Sequence, residues 1–502
     1  MQKGQFGVLI LLTAILFGAL IRFAAPLNAQ GPVNDGGLFL QMTRDLQEDR
    51  FALPDYTTYN NADIPFAYPP LGFYLVGLIQ SLMGIPLLVL FTYLPALFST
   101  LAIPAFYFLA CELTDDRLKA SVATLFYAVI PKSFDWFIMG GGVTRAPAIA
   151  LAFLALAFVH RLFVTRNARY IVHVSVLSAM LVLMHPEIAY HTAFSVLIFA
   201  VFFLRGRNGM FHVLIAAVAI LLLTSPWWFT VLQRHGIETF QTVLAAHPRS
   251  FASQFLFRIQ FNLAGEILLT VVGVFALLGL IGDIRQRKFF LVVWVALGGL
   301  VVSITGFVLL AVKGFESALK GLGDAAPFES DFSSKTSRLT LLGLSAYLLM
   351  AGFIASSFYG YEFRLLNGER AAMNWIQENT DPSAKFILLT GGTSLIDPLS
   401  EWFPVLAERV SLATVQGHEW TPQQNLPVSA GKYAQLQSCL NQDVACIESW
   451  DYDYVYIRRI SPQREGNVEP HPSILEAALR ASTEYEIVFE NDEAVIYRSL
   501  HQ

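Results

Sequence analysis

The chain has 502 residues, of which 55% are hydrophobic and 14% are charged. Soluble domains are usually about 45–50% apolar, so this composition excludes an ordinary soluble protein and indicates an integral membrane protein. The formal net charge is −5, and neither half of the chain has the composition that is typical of nucleic-acid binding.

Apolar runs of bilayer length recur through the first 360 or so positions. The first run, 6–25, reaches the roughly 20 residues that cross a bilayer, and we interpret it as an uncleaved anchor because a signal peptide has a shorter apolar region. The later runs predict helices over 87–110, 146–164, 170–184, 188–204, 211–232, 261–281, 289–312 and 339–357, with a shorter one at 120–130. Together they predict about ten or eleven transmembrane helices, because a segment in lipid must satisfy its own backbone hydrogen bonds.

Basic side chains collect in four short loops, which predicts that these loops face the cytoplasm. The loops contain Arg117 and Lys119, Arg166 and Arg169, Arg205 and Arg207, and Arg285, Arg287 and Lys288. This orientation requires residues 69–83 to lie along the interface, because another crossing there would invert all four loops. The tail then lies outside only if an extra crossing or a re-entrant piece exists between 289 and 338.

The chain divides into a membrane domain at 1–362 and a tail at 363–502. Residues 365–502 hold 19 of the 38 acidic side chains but 9 of the 33 basic ones, which predicts a hydrated domain. Alternating patterns predict a small soluble α/β domain, with helices at 369–379 and 472–481 and strands at 385–389, 452–457, 485–490 and 494–498. Cys439 and Cys446 either form a disulfide in an extracytoplasmic tail or remain thiols, since spacing alone does not establish geometry.

The long first external loop, residues 27–68, contains Asp35 immediately before Gly36 and Gly37. A carboxylate at headgroup height becomes a better base where water is scarce, which favours a catalytic role for Asp35. The alternative is an Asx-turn before the glycines.

A second external segment contains Gly140, Gly141 and Gly142 and leads into a helix, with Thr144 as the predicted N-cap. Backbone N–H groups at a helix start and the guanidinium of Arg145 both favour anions, so this segment suits a phosphate. The alternative is a glycine-rich turn with a snorkelling arginine.

A third polar segment contains His185 and Glu187, with His191 shortly after them, between two membrane helices. Ionisable groups beside hydrocarbon are usually functional or paired. These residues suit a phosphate, a sugar hydroxyl or a divalent metal; the alternative is a His–Glu pair that hydrogen-bonds to itself. The need for a metal stays open.

Taken together, these motifs resemble the GT-C class of membrane glycosyltransferases, especially relatives of dolichyl-phosphate-mannose protein mannosyltransferases. The resemblance rests on Asp35, the Tyr68-Pro69-Pro70-Leu71 stretch, Thr144-Arg145, His185-Pro186-Glu187 and the tail motif Trp375-Ile376-Gln377-Glu378-Asn379-Thr380. It implies a multi-pass protein of the cell membrane that transfers a sugar from a polyprenyl-phosphate donor to a hydroxyl of a protein, lipid or glycan, with inversion, outside the cytoplasm.

The resemblance also implies roles for individual residues. Asp35 would be the base; the expected donor-phosphate ligands are Arg145, Lys132 and His185, and the expected substrate-binding residues are Tyr68, Asp135 and Glu187. Many members of the class carry two adjacent acids in the first loop, whereas Gly36 follows Asp35 here. A second carboxylate would have to come from elsewhere, with Asp63 and Asp135 as candidates.

Two other functions fit a polytopic membrane protein. A transporter or flippase commonly places ionisable residues near the bilayer midplane, whereas those of this chain cluster mainly at predicted helix ends. A noncatalytic envelope protein would use the acidic tail to bind a partner.

Overall fold

Long helices make up most of the first 362 residues of the computed structural model, which describes residues 3–114, 116–246, 265–266, 268–324, 328, 334–422, 424–460 and 473–500. The helices of this part are α1 (Lys3–Ala29), α2 (Gly37–Glu48), α3 (Leu71–Met83), α4 (Leu87–Thr114), α5 (Arg117–Val129), α6 (Gly142–Thr165), α7 (Arg169–Met184), α8 (Pro186–Phe203), α9 (Gly206–Ala246), α10 (Val271–Arg285), α11 (Phe289–Leu297), α12 (Leu300–Gly321) and α13 (Lys335–Glu362). Two short strands, β1 (Tyr56–Thr57) and β2 (Ile64–Pro65), pair in the first external loop.

Seven described helices are long and apolar enough to cross a membrane, and they are α1, α4, α6, α8, α9, α12 and α13. The shorter helices α5, α7 and α10 pack among them. The predicted fold class, a polytopic α-helical membrane protein with an α/β tail, is confirmed. Residues 247–264 and 267 lie outside the described residues, so the start of the predicted run 261–281 is not assigned.

The four basic turns lie together at one end of the helix bundle. The guanidinium of Arg161 donates to Glu112 at 2.6 Å, which joins the last turns of α6 and α4. The ring centroids of His160 and Phe203 are 4.7 Å apart, as are those of Phe203 and Phe290, which brings the end of α8 and the start of α11 to the same level. We call this end the basic end and the opposite end the site end.

The predicted single helix at 289–312 is wrong, because two consecutive glycines divide it. α11 has nine residues and ends at Leu297, and α12 begins after Gly298 and Gly299. A Cβ atom on Gly299 would lie 2.3 Å from the Cβ of His191, so the chain passes directly against α8 at this point. α11 therefore runs from the basic end toward the site end along α8. Beside His191 the chain reverses direction and continues as α12.

The hairpin of α11 and α12 starts and ends at the basic end, where Lys119 in the first turn of α5 binds Glu316 near the end of α12 at 2.7 Å. A hairpin of this kind is one of the two arrangements, an extra crossing or a re-entrant piece, that the sequence allowed between 289 and 338 for a tail outside the cytoplasm. α13 then runs to the site end, where a Cβ atom on Gly360 would lie 2.5 Å from the backbone oxygen of Ala25 in α1.

Helix α3, which was predicted to lie along the interface, stays at the site end. It runs beside α2, and the side chain of Gln47 in α2 donates to Gln80 of α3 at 2.6 Å and to the backbone oxygen of Gly77 at 3.1 Å. Its 13 residues would span only about 20 Å, which is short of a bilayer core.

The tail contains a five-stranded sheet with helices packed on it. The strands β3 (Lys385–Leu389), β4 (Val410–Ser411), β5 (Tyr454–Arg458), β6 (Tyr485–Glu490) and β7 (Ala494–Ser499) are ordered β4-β3-β5-β7-β6. β3 is parallel to β4 and β5, and the remaining pairs are antiparallel. The helices are α14 (Asn367–Asn379), α15 (Pro398–Leu406), α16 (Leu426–Ser438) and α17 (Ile474–Ala481).

The predicted tail strands are present, and the sequence missed only the two-residue β4 and helices α15 and α16 among the elements just named. The predicted helix at 472–481 begins at Ile474; Pro472 lies outside the described residues. Cys439 and Cys446 are joined by a disulfide, which decides between the two states that the spacing left open.

Candidate functional site

Asp35 lies between the end of α1 and the start of α2, and its carboxylate binds the start of α6. Arg145 donates from Nη1 to Oδ2 and from Nη2 to Oδ1, both at 2.8 Å, and the backbone N–H of Gly141 donates to Oδ1 at 2.9 Å. The side chain of Asp35 is 25% exposed. Two residues 110 positions apart in the chain are thus joined by a bidentate ion pair at the site end.

The glycine segment lets the Asp35 loop pass directly against α6. A Cβ atom on Gly140 would lie 2.0 Å from the backbone oxygen of Asp35, and the Gly140 N–H donates to Val33 at 2.9 Å. Gly36 has a φ of 121°, a backbone conformation that residues other than glycine rarely adopt. A bulkier residue at either position would push Asp35 away from Arg145.

The prediction that Thr144 caps α6 is wrong. The helix begins at Gly142, because Gly141 and the residues after it already have helical backbone conformations, and Gly141 is the N-cap residue. The Thr144 hydroxyl donates to the backbone oxygen of Gly141 at 3.1 Å. The carboxylate of Asp35 lies at this helix start, where the sequence predicted a phosphate, and phosphate binding by Arg145 stays a prediction.

Arg145 keeps unused donors although it holds Asp35. A guanidinium carries five N–H groups, of which the bidentate pair uses two. Its Nε is buried, and no acceptor among the described residues lies within hydrogen-bond distance of it. The Arg145 Cζ atom lies 4.8 Å from the ring centroid of Trp136, so the guanidinium is held between an aromatic face and a carboxylate.

His185 also packs against Trp136. Its ring centroid is 5.5 Å from that of Trp136 and 6.1 Å from that of Tyr68, with edge-on geometry in both cases. Its Nδ1 accepts the backbone N–H of Ile188 at 3.3 Å and so caps α8. Because Nδ1 is an acceptor, the atom that His185 can offer to a ligand is Nε2.

Tyr68 faces the same region from the first external loop. Its hydroxyl oxygen is 3.4 Å from that of Thr144, and its ring centroid is 5.8 Å from that of Trp420 in the tail. Burial raises the pKa of Tyr68 far above its usual range; Thr144 and the charge of Arg145 oppose the shift, and the charges of Glu187 and Glu419 add to it. Tyr68 therefore stays a neutral phenol beside Arg145, and its hydroxyl can donate a hydrogen bond.

Lys132 and Asp135, two other predicted site residues, bind each other. Lys132 is exposed, and its Nζ donates to Oδ2 of the buried Asp135 at 2.6 Å. The other oxygen of Asp135 accepts the backbone N–H of Trp136 at 2.7 Å, and Tyr359 donates to Oδ2 at 3.4 Å. The pair supports the segment that carries Trp136, and its charges are already balanced.

Glu401 in α15 of the tail is the acidic neighbour of Asp35 that the sequence did not reveal. Its Oε1 accepts the backbone N–H groups of Gly36 and Leu38, both at 3.1 Å, at the start of α2. Burial, and next the charge of Asp35, raise the pKa of Glu401 to about 8. Asp63, a predicted candidate for this second carboxylate, is exposed.

Two further contacts attach the tail to the Asp35 loop. The Trp402 indole N–H donates to the backbone oxygen of Asn34 at 2.7 Å, and the Tyr59 hydroxyl donates to the backbone oxygen of Glu401 at 2.7 Å. The loop is thus clamped between α6 on one side and α15 on the other. The signal in the sequence was an isolated acid beside a tryptophan in an otherwise apolar stretch, Pro398–Leu406.

In the described part of the chain, no group of three or more His, Cys, Asp or Glu side chains is arranged to hold a metal ion. His185, one of the three predicted ligands, already uses Nδ1 to cap α8. The involvement of a divalent metal stays a prediction.

Solved structures share this architecture at low sequence identity. ArnT from Cupriavidus metallidurans bound to undecaprenyl phosphate aligns with 14% identity and a TM-score of 0.56, over 97% of each chain. The arabinofuranosyltransferase AftD from Mycobacteria aligns with 13% identity and a TM-score of 0.54, over 97% of this chain and 40% of that one. The chain has the GT-C fold. The resemblance that the sequence motifs indicated is confirmed for the fold.

Sequence comparisons cover less of the chain. A family model described as "6-pyruvoyl-tetrahydropterin synthase related domain; membrane protein" matches residues 67–315, just under half of the chain. No curated protein matches the sequence. Within the GT-C fold, the match covers α3 to most of α12 and includes Arg145 and His185 but neither Asp35 nor the tail.

Proposed function

We propose that this GT-C protein is a glycosyltransferase that moves a sugar from a polyprenyl-phosphate donor to an acceptor hydroxyl. One observation carries the proposal: a partly exposed carboxylate and a buried guanidinium with unused donors meet at the end of a membrane bundle, beside two aromatic rings. A lipid-linked sugar phosphate presents its reactive carbon at this height. The undecaprenyl phosphate in the similar ArnT structure agrees with such a donor.

Asp35 is the proposed base. The acceptor oxygen forms a bond to the anomeric carbon, the bond from that carbon to the phosphate oxygen breaks, and its electron pair leaves with the polyprenyl phosphate. The hydroxyl proton passes to Asp35. Attack opposite to the leaving phosphate inverts the anomeric centre; whether the sugar is a hexose or a pentose is left to experiment.

Arg145 is the proposed phosphate ligand. Its Nη atoms hold Asp35 through one edge, and its Nε–H and outer Nη–H groups remain for a phosphate oxygen. A fixed cation beside the leaving phosphate stabilises the charge that grows there during transfer. The Nε2 of His185 and the hydroxyl of Tyr68 are further proposed donors, while Lys132 and Asp135 act indirectly by supporting Trp136.

The proposed location is the cell membrane, with the site end and the tail outside the cytoplasm. Basic turns at the opposite end favour this orientation. The disulfide between Cys439 and Cys446 supports it, because such bonds persist in oxidising compartments. Glu187, at the first turn of α8, is a proposed contact of the sugar or acceptor.

The proposal is tested by incubating the purified protein in lipid nanodiscs with a panel of radiolabelled undecaprenyl-phosphate hexoses and pentoses. The measured quantity is label transferred to added acceptors, which are short glycans, peptides and membrane lipids. The wild-type protein should transfer label from at least one donor, and Asp35→Asn should reduce the rate by 100-fold or more, in line with loss of a general base. Asp63→Asn, an exposed acid in the same loop, is the matched control.

Equal rates for wild type and Asp35→Asn would remove Asp35 from the mechanism. Substrate-dependent flux of the lipid-linked sugar across a proteoliposome, without transfer, would instead support the flippase alternative.

A further inference from the structure

A cavity of about 470 Å³ opens at the basic end of the bundle, whereas Asp35 lies at the site end. It lies between the last residues of α4 and α8, the turn that joins α10 to α11, and the lower part of α12. Residues from these elements that line it include Thr114, Phe202, Phe290 and Lys313. The proposed sugar transfer uses none of them.

The rim of this cavity carries an excess of positive charge. Four cations line it, Lys119, Arg287, Lys288 and Lys313, together with the single acid Asp283. Lys313 binds both oxygens of Asp283 at 2.8 and 2.9 Å, and Lys119 binds Glu316 at 2.7 Å. Lys313 is therefore balanced, Lys119 shares Glu316 with Lys320, and Arg287 and Lys288 add two positive charges at exposed positions.

The wall of the cavity is apolar. Aromatic rings of the α8 end and the α11 start form one side, where the ring centroids of Phe202 and Phe290 are 5.5 Å apart. Leu309 and Val312 of α12 and Leu113 of α4 form the other side. A ligand that fits must combine an anionic group at the rim with a hydrocarbon chain against the wall.

We propose that this cavity binds an anionic phospholipid, with the phosphate at Arg287 and Lys288 and one acyl chain along the aromatic wall. Basic pockets between membrane helices, on the side where lysine and arginine collect, are suited to anionic headgroups. The bound lipid would join α4, α8 and the α11–α12 hairpin at their shared end. The proposal does not depend on sugar transfer.

The test measures the affinity of the protein in neutral detergent for a fluorescent phosphatidylglycerol and for a fluorescent phosphatidylcholine with the same chains. The wild-type protein should bind phosphatidylglycerol about tenfold or more tightly than phosphatidylcholine. The double variant Arg287→Gln with Lys288→Gln should lose that preference. Melting temperatures without lipid show whether each variant is folded.

The matched control is Arg166→Gln with Arg169→Gln, in the turn between α6 and α7. This double variant removes two positive charges from the same end of the bundle, but outside the cavity. The backbone also matches, because Arg166 and Arg287 are both left-handed, with φ of 56° and 57°. It should keep the preference for phosphatidylglycerol.

Three results would overturn the proposal. The control pair could lose the preference as fully as the cavity pair, which would indicate general attraction to the basic end. Inorganic phosphate at millimolar concentration could displace the lipid, which would indicate a site for free phosphate. The wild-type protein could also bind both lipids equally.

Discussion

The side-chain oxygen Oε1 of Glu401 accepts the backbone N–H of Gly36, the residue next to Asp35, at 3.1 Å. A residue of the tail thereby holds the loop that carries the proposed base, and the tail is part of the site rather than an attachment to it. Removal of the tail should therefore abolish the proposed transfer. If the tail only bound a partner, its removal would leave transfer intact.

The pH dependence of stability should report on Glu401. Its pKa is about 8 in the folded protein and about 4.5 in the absence of burial, so the folded state keeps a proton that the unfolded chain releases. The stabilising contribution is complete below about pH 4.5 and is lost as the pH rises through about 8. The melting temperature of the wild type should fall more steeply between pH 5 and pH 9 than that of Glu401→Gln.

The glutamine variant keeps an oxygen acceptor for the N–H groups of Gly36 and Leu38 but cannot release a proton. Glu408→Gln, in which an exposed acid near the end of α15 is replaced, is the control and should follow the wild-type curve. Parallel curves for the wild type and Glu401→Gln would show that Glu401 does not titrate in this range.

The binding of undecaprenyl phosphate should depend on Arg145 and not on Lys132. Arg145 is 6% exposed and has unused N–H donors, whereas Lys132 is exposed and its charge is balanced by Asp135. Loss of a charge-assisted hydrogen bond typically costs about 1.5–3 kcal/mol, which is roughly 10- to 100-fold in affinity.

A fluorescent undecaprenyl phosphate titrated into nanodiscs measures this difference. Arg145→Gln should weaken binding by roughly 10- to 100-fold, and Lys132→Gln should change it by less than about threefold. Size-exclusion profiles confirm that Arg145→Gln, which leaves Asp35 without its ion pair, is folded. A larger loss for Lys132→Gln than for Arg145→Gln would assign the phosphate to the other cation.

The stability of the tail should depend on a buried arginine in β5. Arg458 binds Glu369 at 2.5 Å and Asp397 at 3.3 Å, and both acids are fully buried. Arg458→Gln leaves two buried carboxylates without a cation, and breaking such a pair typically costs about 3–5 kcal/mol.

Arg498 in β7 provides the comparison, because its pair with Glu486 is about half exposed and such pairs contribute about 0–1 kcal/mol. Arg458→Gln should make the tail susceptible to limited proteolysis at a temperature where Arg498→Gln is resistant. Equal resistance of the two variants would mean that the buried cluster contributes little.

The sequence predicted the membrane fold and the convergence of Asp35, Arg145 and His185, because polar residues at the ends of apolar helices must meet at the same face of a bundle. It did not predict that Asp35 and Arg145 bind each other. Spacing along the chain does not show which anion a guanidinium holds.

The contact between the tail and the Asp35 loop could not be predicted from local pattern, which marks Glu401 only as an unusual acid. Glu401 and Gly36 are 365 positions apart, and no periodicity relates them. The break at Gly298 and Gly299 was different, since two adjacent glycines in an apolar run are themselves a signal that the helix ends. Thr144 failed as an N-cap because the glycines before it adopt helical backbone angles and move the start of α6.

A structure of the protein in lipid nanodiscs with undecaprenyl phosphate is the most direct measurement of the arrangement at Arg145. We expect the phosphate within hydrogen-bond distance of the Arg145 guanidinium, on the edge that includes Nε, with Asp35 still on the other edge and Trp136 against its face. A phosphate bound elsewhere, with the Asp35–Arg145 pair unchanged and its free edge empty, would contradict the proposed role of this site in sugar transfer.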